Sequence, residues 1–223
     1  MHHKQLVISI LTDQSSWMNQ YDLVLADQLK MAGHQVNMVS NCAALVKGDI
    51  AFLLSCFEIV RAEHLNRNAH NIVVHASALP TGKGWSPATW QILEGKDTIP
   101  LTLFEASENV DAGSVYLRDS IQLSGYELIS DWQEILGRKI VEMCMTFVNR
   151  LLCGEIVAEE QSGTESFYRR RHPEDSELDI NKTISEQFNL LRVVDNEKYP
   201  AYFVKDGRKF ILKIYQETEL TNE

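Results

Sequence analysis

His75 stands where an apolar run, Asn71-Ile72-Val73-Val74, gives way to small and turn-forming residues. Such a run has strand character, and in open α/β sheets ligands bind at the carboxyl ends of the strands. An imidazole at that edge can give and take protons near neutral pH. Farther along, Asn109-Val110-Asp111-Ala112-Gly113 makes a polar loop whose carboxylate can meet the imidazole in space. A His/Asp pair is an acid–base unit, because the carboxylate orients the ring and stabilises its charged form.

Other polar groups gather at predicted strand ends. Thr12-Asp13-Gln14-Ser15-Ser16-Trp17 follows the first apolar run and precedes a helical pattern, so Ser15 or Ser16 can cap that helix. Free N–H groups at a helix N-terminus suit a phosphate, although an ordinary cap needs no ligand. The loop from Pro80 to Pro87 carries one cation, Lys83, and one aromatic residue, Trp85; the lysine is either a ligand contact or a solvated loop residue. Thr81-Gly82-Lys83-Gly84 lacks the upstream glycine and the following Ser/Thr of a P-loop, which excludes nucleotide hydrolysis by that motif. His64, His70 and His75 match neither an HExxH helix nor a zinc pattern, and Cys42, Cys56, Cys144 and Cys153 form no CxxC pair. No metal is expected.

The strings His75-Ala76-Ser77-Ala78-Leu79-Pro80, then Gly84, Pro87 and Trp90, then Val110-Asp111-Ala112-Gly113, resemble the core of the folate-dependent formyltransferases. The resemblance implies a Rossmann-like fold and transfer of a formyl group from N10-formyltetrahydrofolate to an amine. It implies an Asn-x-His motif at a strand end and an aspartate in an Asp-Ala-Gly loop, and so puts His75 and Asp111 on the catalytic positions. The asparagine is missing: its place is taken by Val73, which has no donor to polarise the formyl oxygen. Asn71 lies on the same strand face as His75 but about 13 Å back along it. Either a backbone N–H or the Ser77 hydroxyl polarises the oxygen, or the activity is altered. By the same resemblance Ser55, Cys56, Phe57 and Ile59 line a pterin pocket with Asn109 and Val110. Ser15, Ser16 and Asn19 then contact a nucleotide phosphate, and Lys83 and Trp85 face the acceptor.

A second likeness lies near the C-terminus. Arg170-Arg171-His172-Pro173-Glu174-Asp175, with Tyr199-Pro200 beyond it, is similar to the end of nucleotide-sugar formyltransferase domains, where the segment closes over the substrate. Arg171 matches its arginine. Consecutive arginines before an acidic run also make surface ion pairs, each worth little. The likenesses together span nearly the whole chain and imply a nucleotide-linked amino-deoxy sugar as acceptor. The pattern Val-Val-His with Gly-Lys-Gly-Trp-Ser-Pro most resembles formyltransferases of UDP-linked 4-amino sugars, on the way to pseudaminic-type surface glycans. That implies a UDP-4-amino-4,6-dideoxy-N-acetyl-hexosamine. The alternatives are another amine, such as a purine-pathway ribonucleotide, and a non-catalytic folate- or nucleotide-binding homologue.

The elements that must position these groups are legible as periodicity. Strands are predicted over Leu6–Leu11, Gln35–Val39, Ile50–Leu54, Asn71–Val74, Pro100–Glu105 and Ser114–Leu123. Tyr21, Val24, Leu25, Leu29 and Ala32 mark one helix face, stopped by Gly33; a second helix covers Ala88–Glu94. A long helix over Trp132–Leu152 carries Ile135, Leu136, Ile140, Met143, Phe147 and Leu151 as its apolar stripe. Glu159 to Thr164 reads as a linker, and Tyr202 to Tyr215 as a hairpin turning at Asp206-Gly207. The expected fold is α/β with a mostly parallel sheet. Residues 1–154 would form the formyltransferase domain, and 165–216 a small subdomain, a helix plus a β-hairpin, closing on the acceptor site.

Composition bounds the partners. A chain of 223 residues with 44% hydrophobic content can bury a full core. With 21 Lys+Arg against 31 Asp+Glu it carries a formal charge of −10, which argues against a nucleic-acid partner. The same balance weighs against the tRNA-modifying branch, whose added C-terminal domain this length is not expected to hold. Neither a signal segment nor a membrane-spanning run is apparent, and scattered cysteines predict reduced thiols in the cytoplasm. A monomer or a homodimer is expected, the hairpin being a candidate contact.

Overall fold

The apolar β-branched runs assemble into one six-stranded sheet. In the computed structural model, which describes residues 4–56 and 60–217, β1 (Val7–Leu11), β2 (Gln35–Val39), β3 (Gly48–Leu53) and β4 (Asn68–His75) run parallel in the order β2-β1-β3-β4. The two-residue β5 (Lys83–Gly84) stands apart, and β6 (Thr98–Glu105) and β7 (Val115–Gln122) extend the sheet antiparallel beyond β4. The expected mostly parallel α/β sheet is present. Helices α1 (Asn19–Met31), α2 (Ala62–Leu65), α3 (Pro87–Leu93) and α4 (Ile129–Cys153) connect or cover the strands.

One face of the sheet packs on α1 and α4. Ile8, Ile10, Ile50, Phe52 and Ile72 meet Leu25, Leu29, Leu136, Ile140 and Phe147 in the main core. The other face has a smaller cluster, Leu11, Cys42, Leu45, Ala51, Leu53 and Val60. The helices approach closely because Gly137 on α4 leaves room for the Tyr21 ring on α1, which a Cβ would strike. Among the described residues no helix is long and apolar enough to cross a membrane.

Past α4, β8 (Phe167–Tyr168) pairs parallel with β5. Then α5 (Phe188–Val193) leads to β9 (Ala201–Lys205) and β10 (Arg208–Leu212), an antiparallel hairpin turning at Asp206 and Gly207, both at positive φ, as expected. The almost fully buried Arg192 fastens this part down. Its guanidinium reaches Glu127 at 3.3 Å and Asn189 at 3.1 Å, and its carbonyl accepts the Trp132 indole N–H at 3.0 Å.

The buried stripe of α1 differs from the expected one. Val24 is 47% exposed and Ala32 is also outside; Asp22, Leu25, Ala26 and Leu29 face the core. The helix is rotated because it buries an aspartate, which an apolar pattern cannot reveal. Asp22 accepts the Thr12 hydroxyl on Oδ2, while Oδ1 is buried without a partner. Burial pushes its carboxyl up to about 6, against the pull of the Thr12 hydrogen bond. The folded chain therefore holds a proton there that the unfolded chain loses near pH 4. Stability from this group is full below about pH 4 and falls as pH rises through about 6, by about 3 kcal/mol in all. Urea unfolding between pH 4 and 7 should show Asp22→Asn removing that decline relative to the unsubstituted protein.

Candidate active site

β4 delivers His75 to the carboxyl edge of the sheet. Alternation along the strand puts Asn71, Val73 and His75 on one face and Ile72 in the main core. The His75 side chain is about nine-tenths buried, and its Nε2 donates to the Gly82 carbonyl at 2.9 Å. A carbonyl only accepts, so Nε2 carries the hydrogen, and in the neutral ring Nδ1 is the basic nitrogen. Asp111 lies on the loop between β6 and β7, with φ of 52°. Its Oδ2 accepts the Gly84 N–H at 2.9 Å and sits 3.8 Å from His75 Nε2. One turn, Gly82 to Gly84, thus holds the imidazole by a carbonyl and the carboxylate by an N–H.

That turn is held in place from outside. Lys83 N–H donates to Ser166 O at 2.9 Å, Gly82 N–H to Ser166 Oγ at 2.9 Å, and Trp85 N–H to Tyr168 O at 3.1 Å. Gly84 has φ of 96°, and a Cβ there would collide with the Tyr168 carbonyl. Gln161 Nε2 donates to the carbonyls of Asp111 and Gly113, each at 2.9 Å, while Glu159 exchanges main-chain hydrogen bonds with Val115. Residues read from sequence as a linker therefore run along the site as a strap. Gln161 and Ser166 were not anticipated, since no periodicity or motif marks them.

The structure brings only some of the anticipated residues together. His75, Asp111 and Lys83 share one corner, but the Lys83 ammonium is buried and ion-paired with Glu165, near the Phe167 ring. Trp85 stacks under the Arg170 guanidinium, 5.0 Å away. Arg171 donates to the carbonyls of Val193 and Asp175, at 3.2 and 3.1 Å, and so binds the C-terminal segment to itself. Arg169 forms the expected surface pair, with Asp175. Ser16 Oγ accepts the Met18 N–H, Asn19 donates to Gln14 O, and Ser15 O accepts Lys198 Nζ, all before or at the start of α1. Ser55 is exposed with φ of 51°, and Cys56 is half-buried against the smaller cluster. Asn109 and Val110 are exposed on the Asp111 loop. Phe57 and Ile59 lie outside the described residues. Among the described residues no group of His, Cys, Asp and Glu could hold a metal ion.

Val73 packs with Leu79, Phe104 and Val115 and offers no donor. Asn71 is committed elsewhere: its Nδ2 donates to Leu65 O at 2.9 Å. The Ser77 hydroxyl, two per cent exposed, has no partner. A cleft of about 340 Å³ borders the Asp111 loop, lined by Lys83, Ala112, Gly113, Ser114, Glu160, Gln161 and Glu165.

A strand-end imidazole and a carboxylate joined through one turn, on a Rossmann-like sheet, are the equipment of proton-coupled group transfer. The sequence model of the formyl transferase family matches residues 12–136, more than half of the chain, and the chain belongs to that family. The methionyl-tRNA formyltransferase of Clostridium beijerinckii is 26% identical over 180 residues, 80% of this chain and 57% of that protein. The chain spans about half the length of the curated relatives it matches. Of solved structures, HypX from Aquifex aeolicus in complex with tetrahydrofolic acid has a TM-score of 0.79 at 18% identity, over 99% of this chain and 40% of that one. A sugar N-formyltransferase from Shewanella has a TM-score of 0.68 at 16% identity, over 97% of this chain and all of that one. At these identities the likeness is one of fold. The family's formyl donor is N10-formyltetrahydrofolate; in this chain Cys56, Val73 and Ala106 pack against the smaller cluster.

Gly84→Ala tests the turn. The substituted residue must take a left-handed conformation and push Tyr168 away, which moves the Gly84 N–H off Asp111. A loss of about 2 kcal/mol in stability is expected from chemical denaturation, with a larger proportional loss of catalytic rate than Gly95→Ala, whose φ is also positive but whose Cβ would meet only Asn189 Nδ2, at 3.8 Å.

Proposed function

We propose that this protein transfers the formyl group of N10-formyltetrahydrofolate to the primary amine of a nucleotide-linked amino-deoxy sugar. The preferred acceptor is a UDP-4-amino-4,6-dideoxy-N-acetyl-hexosamine, destined for surface glycans. The observation that carries this reading is the His75–Asp111 pair, bridged by the Gly82–Gly84 turn at the strand edge. N10-formyltetrahydrofolate supplies an activated formyl carbon. The amine attacks that carbon while His75 takes its proton on Nδ1 and Asp111 balances the imidazolium charge. The tetrahedral intermediate then collapses with cleavage of the carbon–N10 bond, and the imidazolium gives the proton to N10 of the departing tetrahydrofolate. With Val73 in the asparagine's place, the unpartnered Ser77 hydroxyl is the side-chain donor for the formyl oxygen.

Cys56, Asn109 and Val110, with Ser55 and the neighbouring Phe57 and Ile59, hold the pterin. Residues 165–216 form the small subdomain on the acceptor side, braced by Arg171, where Trp85 contributes and Ser15, Ser16 and Asn19 meet the nucleotide. The sugar reading draws on the Arg171-His172-Pro173-Glu174-Asp175 segment and on the likeness to the Shewanella sugar N-formyltransferase. The methionyl-tRNA formyltransferase relative favours a different amine, but a net charge of −10 disfavours a polyphosphate RNA. Four free cysteines suit a reducing, cytoplasmic setting.

Release of tetrahydrofolate, followed with UDP- and dTDP-linked 4-amino sugars, glycinamide ribonucleotide and methionyl-tRNA in turn, tests the proposal. Turnover is expected with a UDP-linked 4-amino sugar. His75→Gln and Asp111→Asn should each lower kcat by about 10²- to 10⁴-fold, and Ser77→Ala by about 10²- to 10³-fold. Turnover with another amine alone would overturn the acceptor; turnover with none would leave a binding homologue.

A further inference from the structure

Glu105, the last residue of β6, has no part in the chemistry above, yet its carboxylate gathers three polar partners. Oε1 accepts the main-chain N–H of Asn71; Oε2 accepts the Tyr116 hydroxyl at 2.9 Å and lies 3.2 Å from His70 Nδ1. These partners come from β4 and β7, the strands on either side of β6. Tyr116 reaches the carboxylate because of a bulge. Leu103 faces Leu117 and Phe104 faces Val115, so Tyr116 is the extra residue, and a bulge re-aims the side chain it inserts. Burial and the adjacent Glu105 charge push the Tyr116 phenol up, which keeps it a donor. The rings of His70 and Tyr116 both rest on Phe147 of α4, at 5.6 and 5.2 Å between centroids.

The main chain of Glu105 is engaged at the same place. Its N–H donates to Ser114 O at 2.9 Å, which closes the loop carrying Asp111, and Ala106 N–H donates to Asn71 O at 2.6 Å. Gly113 passes so near the Glu105 carbonyl that any Cβ would collide with it. On β4 the register partner of Glu105 is Ile72, on the same strand that ends at His75.

We infer that Glu105 is a positioning residue for the His75–Asp111 pair. Its carboxylate and main chain tie both ends of the 106–114 loop to the strand that carries His75, and Tyr116 and His70 hold the carboxylate. The inference rests on the proposed formyl transfer for its kinetic readout and is independent of it for its structural one.

The test uses the full chain with Glu105→Gln, Tyr116→Phe, Asp111→Asn, the Glu105→Gln/Asp111→Asn double variant, and Leu29→Val as a core variant remote from the loop. Glu105→Gln should speed amide hydrogen exchange across residues 106–114 by about 10- to 100-fold, and Tyr116→Phe by less. Leu29→Val should leave the loop at the unsubstituted rate. In formyl transfer, Glu105→Gln should lower kcat by about 10- to 100-fold yet cost nothing further in the Asp111→Asn background, because it acts through Asp111. Unchanged loop exchange, or costs that multiply in the double variant, would overturn the inference. If Glu105→Gln does not fold, Tyr116→Phe decides by the same exchange measurement. Absence of turnover in the unsubstituted protein would count against the proposed activity alone, and loop exchange would still decide the role of Glu105.

Discussion

The site depends on a single turn that satisfies two side chains with main-chain groups. Gly82 offers a carbonyl to His75 and Gly84 an N–H to Asp111, so the imidazole and carboxylate are set relative to each other by the backbone between them. A turn of that shape needs residues that tolerate positive φ and close neighbours, and glycines at 82 and 84 provide both. It cannot hold its form alone, because short isolated loops are marginal. The strap from Glu159 to Tyr168 supplies the missing hydrogen bonds, through Ser166 to the turn and through Gln161 to the Asp111 loop. The chain beyond α4 is thereby part of the architecture that holds the His75–Asp111 corner together.

Cations near the site and in the C-terminal segments are largely spent inside the protein. Lys83 is buried against Glu165, Arg192 against Glu127 and Asn189, and Arg171 on the carbonyls of Val193 and Asp175. Burying a cation is costly unless it is paired or hydrogen-bonded, and each of these is. Lys83 and Arg192 thereby bind the C-terminal segments to the rest of the protein, and Arg171 binds those segments to one another, while the exposed Arg169 and Arg170, stacked on Trp90 and Trp85, face outward near the β5–β8 pair.

Much of this was legible beforehand, for identifiable reasons. The four parallel strands are short runs rich in aliphatic residues, and the place of His75 at a strand end follows from where Asn71-Ile72-Val73-Val74 stops. The Asp206-Gly207 turn and the long stripe of α4 are local signals that tertiary packing did not override. What escaped was non-local or polar. The buried face of α1 is displaced by Asp22, whose carboxylate accepts the hydroxyl of Thr12, a residue outside the helix. Gln161, within the stretch that reads as a linker, and Ser166, just beyond it, carry no local signal, because each meets main-chain groups far away in sequence. The Tyr116 bulge, which brings three polar groups to Glu105, has no signature in a strand read by alternation alone.

The most direct measurement is calorimetric titration of the purified protein with a stable N10-formyltetrahydrofolate analogue, followed in the same cell by UDP- and dTDP-linked amino sugars. The account predicts binding of the analogue and of one nucleotide sugar in its presence, with analogue binding retained in His75→Gln because the ring acts in proton transfer. If the analogue does not bind at all, the likeness to formyl transferases is one of fold, and the roles given to His75 and Asp111 fall with it.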